Sequence, residues 1–221
     1  KVGAKGADVA LIEIGGTVGD IESLPFLEAI RQMRVDLGVE KTLYVHLALV
    51  PYVPTSGEIK TKPTQHSVKE LRSIGIQPSV LLCRAERKIE QAHLQKIAKM
   101  CSVPESKVIA APNVTNIYEV PLVYHDNGLD TEILKFFRMD GDSKPDLSKW
   151  QEINDSIRNP EKEVNIAIAG KYTDYLDSYK SILEAIDHAG ISLKTKTNIS
   201  WINARQFSND KVDSLRDIDA I

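Results

Sequence analysis

Cysteine is scarce: only Cys83 and Cys101 occur in 221 residues. Two thiols, one ending an apolar run and one ending a helical pattern, give neither a disulfide framework nor the paired spacing of a zinc site. A reducing cytoplasm is the expected compartment. No apolar run approaches the ~20 residues that a membrane helix needs, and no signal peptide opens the chain. A surplus of charge of one sign is missing too. With 28 Lys and Arg against 31 Asp and Glu, the formal net charge is −3. That leaves no broad basic field for nucleic acid, so any phosphate binding must be local. There is no internal repeat and no low-complexity tract. The chain opens at Lys1 without a methionine and stops at Asp219-Ala220-Ile221, in what reads as the first half of a buried strand. The sequence is therefore expected to be an internal piece of a longer protein.

What is present centres on Val9-Ala10-Leu11-Ile12-Glu13-Ile14-Gly15-Gly16-Thr17-Val18-Gly19-Asp20-Ile21-Glu22-Ser23. Its branched apolar opening reads as a strand buried on both faces of a parallel sheet. Glu13 interrupts that run. An ionised carboxylate there is costly unless it sits at the strand's carboxyl end beside water, a metal or a cation. Gly15, Gly16 and Gly19 allow a sharp turn and close approach of a ligand, and Asp20 and Glu22 precede a helix signal. Each feature alone suits an ordinary turn or a dipole-complementing helix start. Together they point to a hard-cation or nucleotide site at the sheet edge where open α/β folds bind ligands.

Further along, Leu24, Leu27, Ile30, Met33 and Leu37 recur at helical spacing after Ser23, with Gly38 as the stop. A second buried strand is expected from Leu43 to Val50, then an extended irregular loop forced by Pro51, Pro54 and Gly57. Lys60-Thr61-Lys62-Pro63-Thr64-Gln65-His66-Ser67 follows at the start of another helix. Two lysines beside the N–H groups of a helix start suit a phosphate, and a solvated basic loop is the equal alternative. A third strand, Ser79 to Cys83, runs into Arg84, Arg87 and Lys88. A helix from Glu90 to Met100 turns Lys96 and Lys99 outward, which is ordinary surface for lysine. A fourth strand, Lys107 to Ala111, leads into Pro112-Asn113-Val114-Thr115, and one turn and one helix fill Ile117 to Phe137. Three polar clusters thus fall at successive strand ends. A polar, breaker-rich stretch then reads as a linker over 140–162 around a short helix at Trp150. Beyond it, a strand at Val164 to Ala169, a helix Ser178 to Ala189, a strand Asn198 to Ile202 and a strand start at Ile218 restate the βαβ rhythm.

Three ungapped motifs carry a family resemblance: Glu13 through Ser23, Gly57 through Ser67, and Ser73-Ile74-Gly75-Ile76-Gln77-Pro78. They resemble the CTP synthases, glutamine-hydrolysing ligases that convert UTP to CTP, and the resemblance covers essentially the whole chain. It implies an α/β fold: the later part of a P-loop-related amidoligase domain over 1–139, a linker over 140–162, and the opening of a class I glutamine amidotransferase domain over 163–221. Position by position, it implies that Glu13 holds magnesium against ATP phosphates. Asp20, Ile21 and Glu22 would read the pyrimidine nucleotide, chiefly inhibitory CTP. Lys60, Thr61, Lys62, Pro63, Thr64 and Gln65 would hold the UTP or CTP triphosphate, joined by Lys96, whose surface reading the resemblance overrides. Arg84, Asn113 and Val114 would lie near the ATP adenine. The family's glycine-rich phosphate loop and second metal-binding acid would precede Lys1, and the glutaminase Cys, His and Glu would follow Ile221. This stretch alone is then expected to be inactive. Magnesium is the implied cofactor, with UTP, CTP, ATP and glutamine as small-molecule partners. The resemblance further implies a homotetramer, with filaments also conceivable, and neither nucleic acid nor membrane as partner. A dethiobiotin-synthetase-like ligase and a non-catalytic nucleotide-sensing or filament-forming module are the alternatives.

Overall fold

The computed structural model describes residues 6–139, 144–205, 207–208, 212–213 and 215–221. Its elements, in chain order, are α1 (Leu24–Leu37), β1 (Val45–Leu49), β2 (Tyr52–Val53), β3 (Glu58–Ile59), α2 (Lys62–Ser73), β4 (Val80–Ala85), α3 (Gln91–Cys101), β5 (Val108–Pro112), α4 (Val120–Asp126), α5 (Leu129–Phe136), α6 (Ser148–Arg158), β6 (Lys162–Gly170), α7 (Lys180–Ser192) and β7 (Thr195–Asn203). They form two compact units, Lys1–Lys144 and Pro145–Ile221.

In the first unit β1, β4 and β5 make a parallel sheet in the order β1-β4-β5. The register pairs Val45 with Val80 and Leu49 with Arg84, then Leu81 with Val108 and Ala85 with Pro112. β4 is central and accordingly apolar, with Val80, Leu81 and Cys83 fully buried. One face carries α2 and α3, whose Val68, Ile97, Ala98 and Cys101 close over Leu81, Cys83 and Val108. Burying a side chain such as Leu81 or Ile97 contributes roughly 1.5–3 kcal/mol. On the other face Tyr124 of α4 and Leu129 of α5 pack on Val80, Leu82 and Ile109. A smaller cluster joins α1 to the end of α2 through Leu27, Leu71 and Ile76, with Ile14, Val18 and Tyr44 against it.

The strand expected at Val9 to Ile14 does not form. Those residues are irregular, Leu11 and Ile12 are 92% and 63% exposed, and only Ile14 joins a core cluster. A strand buried on both faces needs a paired neighbour and two covering layers. Among the described residues β1 pairs only with β4, and Val45, Leu47 and Leu49 stand exposed on the face that continues Val80 and Leu82. The apolar run is left unpaired and largely uncovered among the described residues.

Other departures are local. The proline-rich loop after β1 contains a hairpin, β2 against β3, with Tyr52 opposite Ile59 and Val53 opposite Glu58. Gly57, at φ 65°, closes it by donating its N–H to the Val53 carbonyl. Two-residue strands leave no period to read. β4 runs two residues further than expected, so Arg84 lies within it. The single helix expected before Phe137 is two, α4 and α5, divided at Asn127 and Gly128, where Gly128 takes φ 81°. Ser23 does not cap α1 with its side chain; its buried hydroxyl donates to the Asp20 carbonyl at 2.8 Å.

The second unit is a βαβ arrangement. β6 and β7 pair in parallel from Lys162↔Thr195 to Gly170↔Asn203, and Ile166 also bridges Ala220 in parallel. The strand start expected at Ile218 is thus docked beside β6. α7 connects β6 to β7, and α6, the helix expected around Trp150, packs on α7. Residues 140–143 of the expected linker lie outside the described residues.

Candidate nucleotide site

Because β1, β4 and β5 are parallel, their carboxyl ends open on one edge, and the chain is polar where it leaves β4, at Glu86-Arg87-Lys88, and β5, at Asn113-Val114-Thr115. The Val50 N–H donates to the Arg84 carbonyl at 2.8 Å and the Asn113 N–H to the Ala85 carbonyl at 2.9 Å, stitching the three exits together. Arg84 Nε donates to Asn113 Oδ1 at 3.2 Å. Two of the residues expected near the adenine are therefore in direct contact, with half-buried Val114 next in sequence.

The Lys60 loop is held from both sides. Lys60 N–H donates to the Pro51 carbonyl at 2.9 Å. At the start of α2, Thr64 is fully buried and its hydroxyl donates to the Leu49 carbonyl at 3.0 Å, pinning the helix to the end of β1. Thr61 is also buried, and its hydroxyl accepts from Gln65 Nε2 at 3.1 Å. The Thr64 hydroxyl proton is thus committed to the backbone, the Thr61 hydroxyl acts as an acceptor in its bond and keeps its own O–H, and Pro63 has no N–H to offer. Contact with a phosphate falls chiefly to the Lys60 and Lys62 ammonium groups, and to first-turn N–H groups that have no helical carbonyl to bond. Lys62 is exposed at the first position of α2.

Lys96, from α3, faces the same region. Glu58 on β3 accepts from Lys60 Nζ at 2.5 Å. Its carboxyl is held below the usual range first by that bond, then by the Lys60 charge, with a smaller part from Lys96. A cavity of about 260 Å³ opens beside it, lined by Tyr52, Glu58, Arg87, Glu90 and His93 among others. The Arg87 guanidinium lies 3.8 Å from the centre of the Tyr52 ring. A larger cavity of about 420 Å³, lined by Arg31, Arg34, Tyr44 and Gly75, adjoins the residues that precede β1 and β4. It lies at the opposite edge of the sheet from the one where such folds bind ligands.

Asp20, Ile21 and Glu22 form the short turn that leads into α1. Asp20 Oδ2 accepts the Thr17 N–H at 2.9 Å and so folds the glycine-rich turn back on itself. Ile21 is 83% exposed and Glu22 is exposed as well. Among the described residues no hydrogen bond or ion pair connects this segment to the Lys60 loop or to Arg84 and Asn113.

Glu13 is exposed, and it does not end a buried strand. The burial argument that singled it out is overturned, and its proposed metal role rests on the motif alone. No group of three or more His, Cys, Asp or Glu is poised to hold a metal among the described residues. As a hard-oxygen donor Glu13 suits magnesium, which commonly takes one or two carboxylates together with phosphate oxygens and water.

Neither cysteine is a nucleophile. Burial pushes the Cys83 thiol up to about 12 and raises that of Cys101 as well. Sequence reasoning missed Glu58, His93 and the Arg87–Tyr52 stack. Only the acid two positions before Lys60, in an alternating stretch, could have signalled the first of these. No described helix is long and apolar enough to cross a membrane.

Residues 1–139 match the family described as CTP synthase N-terminus. The CTP synthase of Gluconobacter oxydans is 55% identical over 97% of this chain and 40% of its own length. That of Rhodospirillum centenum is 56% identical over 92% of the chain and 38% of its own length, and that of Caulobacter vibrioides 52% over 96% and 38%. The chain thus spans about 40% of the length of the relatives it matches. With 139 of its 221 residues matched by the family, and with the parallel sheet and polar strand-end edge just described, the chain belongs to the CTP synthase family.

Proposed function

We propose that this chain is the nucleotide-binding part of a ligase that aminates UTP to CTP, using ATP and ammonia released from glutamine. The observation that carries the reading is the convergence at one sheet edge of the Lys60 loop, the outward start of α2 and the Arg84–Asn113 pair, in a chain of this family. Lys60, Lys62 and Lys96 bind and orient the UTP triphosphate as point charges, while Arg84, Asn113 and Val114 flank the ATP adenine. ATP transfers its γ-phosphoryl group to oxygen 4 of the uracil ring, and ammonia then adds at carbon 4 and expels inorganic phosphate. Positioned cations lower the barrier to such transfers by neutralising charge as it moves. Glu13 would hold a magnesium ion, which supplies charge neutralisation at the ATP phosphates. Residues 163–221 are read as the opening of the glutamine amidotransferase domain, with 140–162 as the linker. A cytoplasmic homotetramer, able to form filaments, is the assembly in keeping with the family.

Asp20, Ile21 and Glu22 are assigned to product inhibition. CTP and UTP share a triphosphate but differ at ring position 4, so one loop can seat both phosphates while the bases diverge. The Glu22 carboxylate is exposed and can accept from ribose hydroxyls or a base donor. Glu22→Ala is expected to raise the inhibitory CTP concentration about tenfold, the equivalent of ~1.4 kcal/mol, with UTP turnover retained. Coincident CTP titration curves for the two proteins would contradict it. The function itself is tested by assaying the full-length protein for CTP formation from UTP, ATP and glutamine with magnesium; no CTP above the minus-ATP control would refute it.

A further inference from the structure

The side chains assigned above to the triphosphate, Lys60, Lys62 and Lys96, are all cations. Yet the charge closest to Lys60 is a carboxylate. Glu58 sits on β3, directly opposite Val53, so the hairpin fixes where its side chain leaves the backbone. Its Oε2 holds the Lys60 ammonium. The Lys96 ammonium and the His93 imidazole act on the same carboxylate from α3. His93 Nδ1 is buried without a hydrogen-bond partner among the described residues, and its ring lines the same cavity as Glu58, Arg87 and Lys88. The hairpin and the start of α3 therefore gather five basic groups, Lys60, Arg87, Lys88, His93 and Lys96, around this acid, with Glu90 as the second acid on the cavity wall.

We propose that Glu58 sets the affinity of the triphosphate site: its carboxylate holds Lys60, and a bound triphosphate must take that ammonium from it. This rests on the reading of the Lys60 loop as a triphosphate site. The physics is a competition between anions. Glu58 keeps Lys60 extended along the hairpin and spares the cluster from mutual repulsion among its cations. The same carboxylate then repels the arriving phosphate oxygens, so part of the attraction of the lysines is spent before the ligand binds. Both partners are substantially exposed, at 44% and 63%, and exposed pairs are weak. The effect is accordingly a trim of affinity rather than a switch. A nucleotide site trimmed in this way releases its ligand faster and saturates at a higher concentration.

The test is calorimetric titration of the full-length protein with UTP and, separately, with inorganic tripolyphosphate, for wild type, Glu58→Gln, Lys60→Ala and the double variant. The expected result is that Lys60→Ala weakens both ligands. Glu58→Gln tightens both by about two- to five-fold, and this gain shrinks by at least half when Lys60 is already alanine. If Lys60→Ala weakens binding but Glu58→Gln leaves it unchanged or weaker, the inference is wrong and the triphosphate reading survives. The same conclusion holds if its gain is undiminished without Lys60, or appears for UTP and not for tripolyphosphate. If Lys60→Ala changes neither ligand, the triphosphate reading fails and the inference with it.

Discussion

Thr64 shows how a residue of the Lys60 motif is tied into the fold. It is fully buried, and its hydroxyl spans from the first turn of α2 to the Leu49 carbonyl at the end of β1. Thr64→Val keeps the shape and removes the donor, which should cost on the order of 1 kcal/mol in denaturant unfolding; Thr64→Ser keeps the bond and should restore it. An unfolding midpoint unchanged by the valine would show that the clamp is idle. His46, on β1, makes the neighbouring tether, with Nε2 2.9 Å from Ser67 Oγ on α2. Burial lowers its pKa below the ordinary histidine value. The unfolded chain then binds a proton that the folded chain refuses, so stability is full above the ordinary histidine pKa and falls as pH drops through it. Urea midpoints measured from pH 8 to pH 5 should fall more steeply for wild type than for His46→Gln. Parallel profiles would remove His46 from the account. The polar residues of the Lys60 motif were legible in the sequence, but their division of labour was not. Whether a hydroxyl faces a ligand or the backbone depends on a carbonyl 15 residues away, as with Thr64 and Leu49.

At the scale of elements, the sequence disclosed what local periodicity encodes. α1, α2, α3, β1, β4 and β5 all fall within a few residues of their expected places, because caps, prolines and helical or strand patterns are written locally. The failures share one cause. Val9 to Ile14 has the composition of a buried strand, but strandedness depends on a partner, and none pairs with it among the described residues. The β2–β3 hairpin is too short for a pattern, and the break between α4 and α5 depends on the positive φ of Gly128. In the second unit, Gly190 shows contact dictating residue type. A Cβ placed there would stand 2.7 Å from the Thr195 carbonyl oxygen and 2.9 Å from Thr197 Cγ2, because α7 runs back closely over the start of β7. Gly190→Ala should therefore destabilise the second unit by about 1–3 kcal/mol, despite the better helix propensity of alanine. Thermal unfolding at or above the wild-type midpoint would mean that α7 and β7 can separate without cost.

For the molecule as a whole, the proposed function rests on parallel strands whose carboxyl ends open on one edge. Glu13, the residue first singled out, proves exposed and outside any strand. The Lys60 loop, first balanced against a solvated surface, is anchored to the end of β1 and to the Pro51 carbonyl just beyond it. Lys62 stands at the first position of α2, exposed beside the outward N–H groups, and is the side chain best placed to meet a phosphate oxygen. The decisive measurement is the UTP concentration dependence of CTP formation by the full-length protein, compared with its Lys62→Ala variant, with glutamine hydrolysis followed in parallel. Loss of one charge-assisted contact, worth about 1.5–3 kcal/mol, predicts a UTP requirement raised at least tenfold with glutamine hydrolysis little changed. An unchanged UTP requirement, or an equal loss of both activities, would contradict a triphosphate site at the start of α2.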